Sequence, residues 1–337
     1  MRAARLHEVG RPVTIDDVPE PSAGPGTVLV RVMHCGVCAS DLHVAHGATP
    51  AGTLPQILGH EPAGRVAAGA EGFAEGEWVA VMPGIWCGEC GPCRAGMENR
   101  CVRGRFLGVD VDGAWAELIA VPARGLLRIP QGVDPVQAAI ATDAGATAFH
   151  ALHRAGVEGR RVAIYGAGGV GAHGIVLARA LGASWIAAVD TDPVARERAL
   201  ALGADLAVDP SDGKPGRAVR AASEGGVDAA LEFIGNAEAM SQATKSLRTG
   251  GRAVFVGLTP DELHLLPAAA FVASELEVLG SFGATRAEVE ELLAMLGRGE
   301  VDLGPLVTHR LPLEDAPRAL EMLATREDHP LRIVLDV

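Results

Sequence analysis

The sequence predicts an α/β chain, with an irregular, partly barrel-like β domain followed by an open parallel sheet with crossover helices. Three observations carry this. Residues 1–130 hold short apolar runs, such as Thr27–Met33 and Trp78–Val81, separated by turn clusters such as 21–26 and 70–77. From Val162 to Gly280 short apolar strands alternate with helical segments, the pattern of parallel strands joined through helices. The first of those strands runs directly into Gly166-Ala167-Gly168-Gly169-Val170-Gly171, a G-x-G-x-x-G.

Taken in order, the β domain shows no long 3.6-residue period before residue 134. There Asp134-Pro135-Val136-Gln137 supplies an N-cap, a proline at the first helical position and a glutamine at the third. A helical region is expected to about Arg154, with Gly156 as its stop. Strands are expected at Val162–Tyr165, Trp185–Val189, Leu206–Val208, Val227–Glu232, Arg252–Val256 and Leu276–Leu279. Helices between them end near Gly182, run from Asp192-Pro193 to Gly203, and cover Ala218–Ser223 and Ala237–Leu247. Thr285-Arg286-Ala287-Glu288 reads as a capping box for a helix to about Arg298. Short strands and a helix near Asp315–Thr325 follow. With six strands already assigned to the parallel sheet, this tail is expected to pack onto the N-terminal domain.

The 337 residues suffice for two domains with a sizeable core, since 48% are hydrophobic. Lys and Arg number 29 and Asp and Glu 42, so the net charge of −13 gives no electrostatic reason to bind nucleic acid or anionic membranes. The N-terminal residues lack the apolar stretch of a secretion signal, and the longest uncharged run, Val162–Ala178, is Gly-rich and short for a membrane span. A soluble, cytoplasmic protein is expected. All six cysteines precede residue 102, and their close spacing without a secretion signal favours metal over disulfides.

Three motifs carry chemistry. In the glycine loop, Gly166 allows the tight turn, Gly168 lets backbone approach a pyrophosphate, and Gly171 lets helix pack close to strand. Gly169 and Val170 open the helix whose N-terminus faces phosphate. Asp190, 19 residues past Gly171, ends the next strand, where a carboxylate accepts ribose hydroxyls and repels a 2′-phosphate. That favours NAD over NADP; the bland alternative is a Gly-rich turn without nucleotide. Cys87, Cys90, Cys93 and Cys101 can close a tetrahedral shell around Zn²⁺ with no position left for substrate, a structural clip rather than a set of incidental thiols. The stretch Cys35–Glu61 concentrates two cysteines, three histidines and a Ser-Asp pair. Cys38 and His60 alone read more readily as core residues. As zinc ligands they would need a third, for which Asp143 is the leading candidate, although by itself it reads as a cap or turn residue.

Together these motifs resemble the zinc-dependent medium-chain alcohol dehydrogenases, over essentially the whole chain. The resemblance rests on GVCASDLH (36–43), GHEPAG (59–64), the four-cysteine lobe (87–101), TDAGATAFHAL (142–152), GAGGVG (166–171) and THRLPLEDA (308–316). It implies a GroES-like β-barrel catalytic domain at 1–145 and 285–337, a Rossmann domain at 146–284, and an active site between them. It also implies a catalytic zinc on Cys38, His60 and Asp143, with Glu61 as a nearby acid or transient ligand and Asp41 orienting His60. Cys35 and His46 fall outside the chemistry. Ser40 and His43 match a proton relay, Trp115 a bulky residue lining the substrate pocket, and Arg332 a contact to the cofactor pyrophosphate. Ala39 departs from the family's Arg or His, which predicts weaker cofactor binding or faster release.

The implied reaction is reversible hydride transfer between a primary or secondary alcohol and NAD⁺, giving an aldehyde or ketone. Two zinc ions per chain and a homodimer or homotetramer go with it. Polyol or amino-alcohol dehydrogenation, aldehyde reduction, and noncatalytic zinc and nucleotide binding are the alternatives.

Overall fold

A computed structural model describes residues 1–68 and 72–337. The first two residues of the turn cluster 70–77 lie outside the described residues. The chain divides into two compact units, one made of 1–144 with 285–337 and the other of 145–284.

In the second unit six strands pair in parallel throughout, in the spatial order Leu206–Val208, Trp185–Val189, Arg161–Tyr165, Val227–Glu232, Leu247–Phe255, Glu277–Gly280. The chain starts in the middle, winds outward, then returns beside its first strand and winds outward the other way. That is the doubly wound order, with its switch point between Arg161–Tyr165 and Val227–Glu232. The first strand is buried after Arg161, as a parallel strand covered on both faces requires. Helix starts follow local chemistry: Asp192 accepts from the Val194 N–H with Pro193 behind it, and Asn236 accepts from the Ala239 N–H.

In the first unit the organising strand is Thr27–Val37. It pairs antiparallel with Glu61–Val66, Leu118–Pro122 and, through the tail, Arg332–Asp336. The sheet extends through Trp78–Val81 to Leu126–Arg128 on one side and to Val307–Pro312 on the other. A smaller sheet joins Arg2–Leu6 with Thr14–Asp17 and Gln56–Ile57. The core of this unit includes Leu6, Val30, Leu58, Trp115, Leu126 and Leu335, all fully buried. No described helix is long and apolar enough to cross a membrane.

Several boundaries differ from the sequence reading. The helix expected at Ala218–Ser223 is Pro215–Ala222, because Pro215 serves as its first residue. The strand expected at Arg252–Val256 starts at Leu247, which pairs with Val227 ahead of an irregularity in register. Short helices at Ala39–Ala45 and Ala268–Ala273 had too few turns to show a period. The single helical region from residue 135 is broken into Pro135–Ile140, a π turn at Ala141–Gly145, and Ala146–Ala155, which stops at Gly156 with φ +66°.

Glycine contacts set how closely the second unit packs around its first strand. A Cβ on Gly171 would lie 1.7 Å from the Gly166 carbonyl oxygen, whereas a Cβ on Gly168 would meet nothing within 4 Å. Gly171→Ala is therefore expected to cost about 2 kcal/mol or more through forced backbone shifts. Gly168→Ala should stay within about 0.5 kcal/mol. Urea unfolding of the two variants checks this, and equal midpoints would contradict the packing role of Gly171.

Candidate metal and cofactor sites

Three separate elements bring one group of donors together. Cys38 follows the strand Thr27–Val37 and caps the helix Ala39–Ala45. His60 immediately precedes the strand Glu61–Val66, and the pairing of Gly36 with Glu61 holds the two strand ends side by side. Asp143 comes from the π turn, where Thr142 Oγ1 donates to the Ala139 carbonyl at 2.8 Å. Donor atoms of Cys38, His60, Glu61 and Asp143 all lie within 4.8 Å of one another. His60 Nε2 is 3.4 Å, and Cys38 Sγ 3.6 Å, from Asp143 Oδ2. Ligands held at zinc distances around a tetrahedron are about 3.3–3.8 Å apart, so this spacing fits the metal.

Asp41, 1% exposed, organises two of these donors. Its Oδ2 accepts from the Cys38 N–H at 2.9 Å, and its Oδ1 from the Gly59 N–H at 3.1 Å. His60 Nδ1 lies 3.1 Å from the same Oδ1 and donates to it, which leaves the Nε2 lone pair toward Asp143. A lone pair and a carboxylate 3.4 Å apart attract only through a proton or a metal ion between them. The protonation balance agrees. Burial works against charge on His60, yet the Asp41 charge and hydrogen bonds to Asp143 and Asp41 hold its pKa well above the usual value. Burial works against charge on Asp143 too, but hydrogen bonding and charge from His60, with Arg332, hold its carboxyl well below the usual range.

Glu61 is fully buried, and burial pushes its carboxyl up to about 7 despite the opposing charge of Arg332. Its Oε1 accepts from the Arg332 guanidinium; its Oε2 is buried without a hydrogen-bond partner. A Cβ on Gly36 would lie 1.8 Å from that Oε2, so Gly36 must be glycine for Glu61 to fit. Nothing in the sequence alone marked that requirement.

Cys87, Cys90, Cys93 and Cys101 form the second group. None is in a disulfide, and sulfur separations of 3.9 Å (Cys87–Cys93), 3.4 Å (Cys90–Cys93) and 3.8 Å (Cys90–Cys101) match the edges of a tetrahedral zinc–sulfur shell. N–H groups of Glu89 and Cys90 bring the Cys87 thiol down to about 5, while burial and the neighbouring thiols push Cys93 up to about 12. Four sulfurs this close cannot all ionise without a cation, and Zn²⁺ fits them.

The remaining predicted residues divide. Ser40 and His43 lie three apart on the exposed side of the helix Ala39–Ala45, with Ser40 Oγ 3.8 Å from Cys38 Sγ. Ala39 is exposed as the first residue of that helix. Cys35 is fully buried outside the donor group, its thiol pushed up by burial, and His46 is exposed. Two more are buried. Trp115 is 0% exposed, covers Gly59 and donates its indole N–H to the Gly36 carbonyl. Arg332, expected at a pyrophosphate, is 3% exposed and paired with Glu61.

In the second unit, Gly166 has φ +89°, and the helix Gly169–Ala180, with Val170 and Gly171 in its first turn, starts directly after Gly168. Asp190 binds the loop itself, with Oδ2 accepting from the Ala167 N–H at 2.8 Å and Oδ1 from the Asp192 N–H at 2.9 Å. Arg196, which the sequence reading passed over, donates to the Asp190 carbonyl and pairs with Asp209.

Known proteins of similar sequence and structure identify the family. A family model for the alcohol dehydrogenase GroES-like domain matches residues 24–131, and one for zinc-binding dehydrogenases matches residues 169–298. An alcohol dehydrogenase of Geobacillus stearothermophilus is 37% identical over 308 residues, covering 89% of this chain and 90% of that protein. An L-threonine 3-dehydrogenase of Symbiobacterium thermophilum is 33% identical over 350 residues, covering 100% and 98%. The solved structure of an alcohol dehydrogenase from Thermus sp. ATN1 superposes with a TM-score of 0.93 at 35% identity over the whole of both chains. With relatives of this identity along nearly its full length, the chain belongs to the zinc-dependent medium-chain dehydrogenase/reductase family and is an oxidoreductase of the alcohol-dehydrogenase type.

Proposed function

We propose that the chain is an NAD-dependent zinc alcohol dehydrogenase with two zinc sites, one catalytic and one structural. The observation that carries this reading is the convergence of Cys38, His60 and Asp143 around a single point, with His60 oriented by Asp41. Zinc there supplies Lewis acidity that eases loss of an alcohol's proton or polarises a carbonyl. NAD supplies the hydride acceptor or donor. A Cys38 thiolate, a neutral His60 and an Asp143 carboxylate together carry two negative charges, matching a divalent cation.

The chain's own residues then handle the proton. Ser40 sits beside Cys38, and His43 is on the same exposed helix side, so a proton can pass from hydroxyl to imidazole to solvent. Asp190 favours NAD, because its carboxylate would stand near a 2′-phosphate. The four-cysteine group holds the loop 87–101 in place of a core. The free thiols suit the reducing cytoplasm. A homo-oligomer fits the open edge of the strand Glu277–Gly280 and the exposed Leu258 and Val272 in the same unit. A second reading, an amino-alcohol dehydrogenase, is favoured by the threonine dehydrogenases among the relatives. A panel of simple secondary alcohols, primary alcohols and L-threonine separates the two by kcat/KM.

Elemental analysis of purified protein should find about two zinc per chain. Cys38→Ala and Asp143→Ala should each leave about one zinc and reduce turnover by about a thousandfold or more. Cys35→Ala should keep both metals and its activity. Loss of the catalytic metal in Cys35→Ala, with Cys38→Ala still active, would overturn the ligand assignment. For the cofactor, kcat/KM with NAD should exceed that with NADP by about tenfold or more, and Asp190→Ser should narrow the ratio. A preference for NADP in the unaltered protein would refute the role given to Asp190.

A further inference from the structure

Glu232 stands at the carboxyl end of the strand Val227–Glu232, the strand beside Arg161–Tyr165 at the switch point of the parallel sheet. Ligands of such sheets bind in the crevice outside the carboxyl ends at that point. The side chain is 0% exposed. Its Oε1 accepts three successive backbone N–H groups, from Ile234 and Gly235 at 2.8 Å and from Asn236 at 3.4 Å. Its Oε2 is equally buried and has no hydrogen-bond partner. Burial raises the carboxyl, against the three N–H groups that lower it.

The turn so held is wedged between two other loops at the same sheet edge. A Cβ on Gly166 would lie 2.6 Å from Ile234 Cγ1, so Ile234 rests on the first glycine of the G-x-G-x-x-G. A Cβ on Gly235, which has φ +79°, would lie 2.4 Å from the Leu258 carbonyl oxygen, and one on Gly257 would lie 1.9 Å from the Gly235 nitrogen. Despite this crowding of backbone, the Ile234 side chain is 54% exposed. A large apolar side chain is thus held out in solvent next to the phosphate loop by a buried carboxylate.

We propose that Glu232 is a positioning residue for the dinucleotide, fixing the turn 233–236 so that Ile234 presents an apolar surface to the cofactor beside Gly166. The proposal rests on the reading of this unit as an NAD-binding domain. Glu232 does not touch the cofactor; it acts through Ile234. Without the carboxylate, three backbone N–H groups lose their acceptor and the turn relaxes away from Gly166.

The test titrates full-length protein with NADH and measures kinetics with NAD for the unaltered chain, Glu232→Ala, Glu232→Gln, Ile234→Ala and the Glu232→Ala/Ile234→Ala pair. Glu232→Ala is expected to raise the NADH Kd about tenfold and KM for NAD similarly, with kcat falling much less. Glu232→Gln, which keeps an acceptor oxygen for the N–H groups, should restore most of the affinity. In the pair, Ile234→Ala should add little to the effect of Glu232→Ala, because one residue acts through the other. A Glu232→Ala protein that melts earlier but binds NADH as before overturns the proposal, as do effects that multiply in the pair. Should Glu232→Ala not fold, an unchanged Kd in Ile234→Ala overturns it, and a raised one supports it. An unaltered chain that binds neither NADH nor NADPH overturns the cofactor reading itself, and the proposal with it.

Discussion

Asp41 receives N–H groups from Cys38, Gly59 and His60, three positions that belong to two different strands' ends. A carboxylate at 1% exposure is tolerated only when its oxygens are hydrogen-bonded, and these three donors satisfy it. The consequence is geometric. Cys38 is three residues before Asp41, so the start of the helix Ala39–Ala45 and the imidazole of His60 are tied to one group. The hydrogen bond to Nδ1 also selects the tautomer and points Nε2 at the ligand position. The thiol and imidazole donors are therefore set by one side chain before any metal arrives.

Charge imposes the next constraint. The carboxyl groups of Glu61 and Asp143 gather around the Cys38 sulfur and His60, with the buried Asp41 behind them, and Arg332 is a buried arginine that faces them. An excess of buried negative charge is costly unless paired or neutralised by a cation. The directions of titration follow from burial and charge together: the Asp41 charge and hydrogen bonds raise His60 against burial, and burial, with the Asp143 charge, raises Glu61 to about 7. Arg332 reaches this place because the tail strand pairs with Thr27–Val37, with Val334 opposite Gly36 and Ile333 opposite Val37. The last residues of the chain thus complete the charge balance of a site built from its first 143.

Local features were legible from spacing, whereas most long-range ones were reached only through the family resemblance. The glycine loop, the four-cysteine lobe and the pair Cys38–His60 depend on spacing along a short stretch, and the doubly wound sheet on alternating strand and helix. Asp143 is 105 residues from Cys38, and the π turn that carries it uses residues that suit an α-helix equally well. The packing of Trp115 was not legible: it rests on Gly59, where a Cβ would lie 2.2 Å from the indole, and Gly59 and the ring are far apart in sequence. The burial of Arg332 was not legible either, because it follows from the pairing of the tail strand with Thr27–Val37 and not from a local pattern.

The three proposed ligands are not held alike. Cys38 and His60 are linked through Asp41, so moving one disturbs the other. Asp143 is not tied to Asp41: its backbone is set by a π turn held by Thr142, and its carboxylate lies 3.4 Å from His60 and 3.6 Å from Cys38. A π turn inserts one residue into a helix and so re-aims a side chain without dismantling the turns on either side. Position 143 is therefore the part of the shell where the donor type can change while the Cys–Asp–His arrangement stays intact. A carboxylate there gives the same formal charge as a second thiolate but a harder oxygen donor, which would alter the electronic character of a metal held by these residues without altering the balance of charge around it.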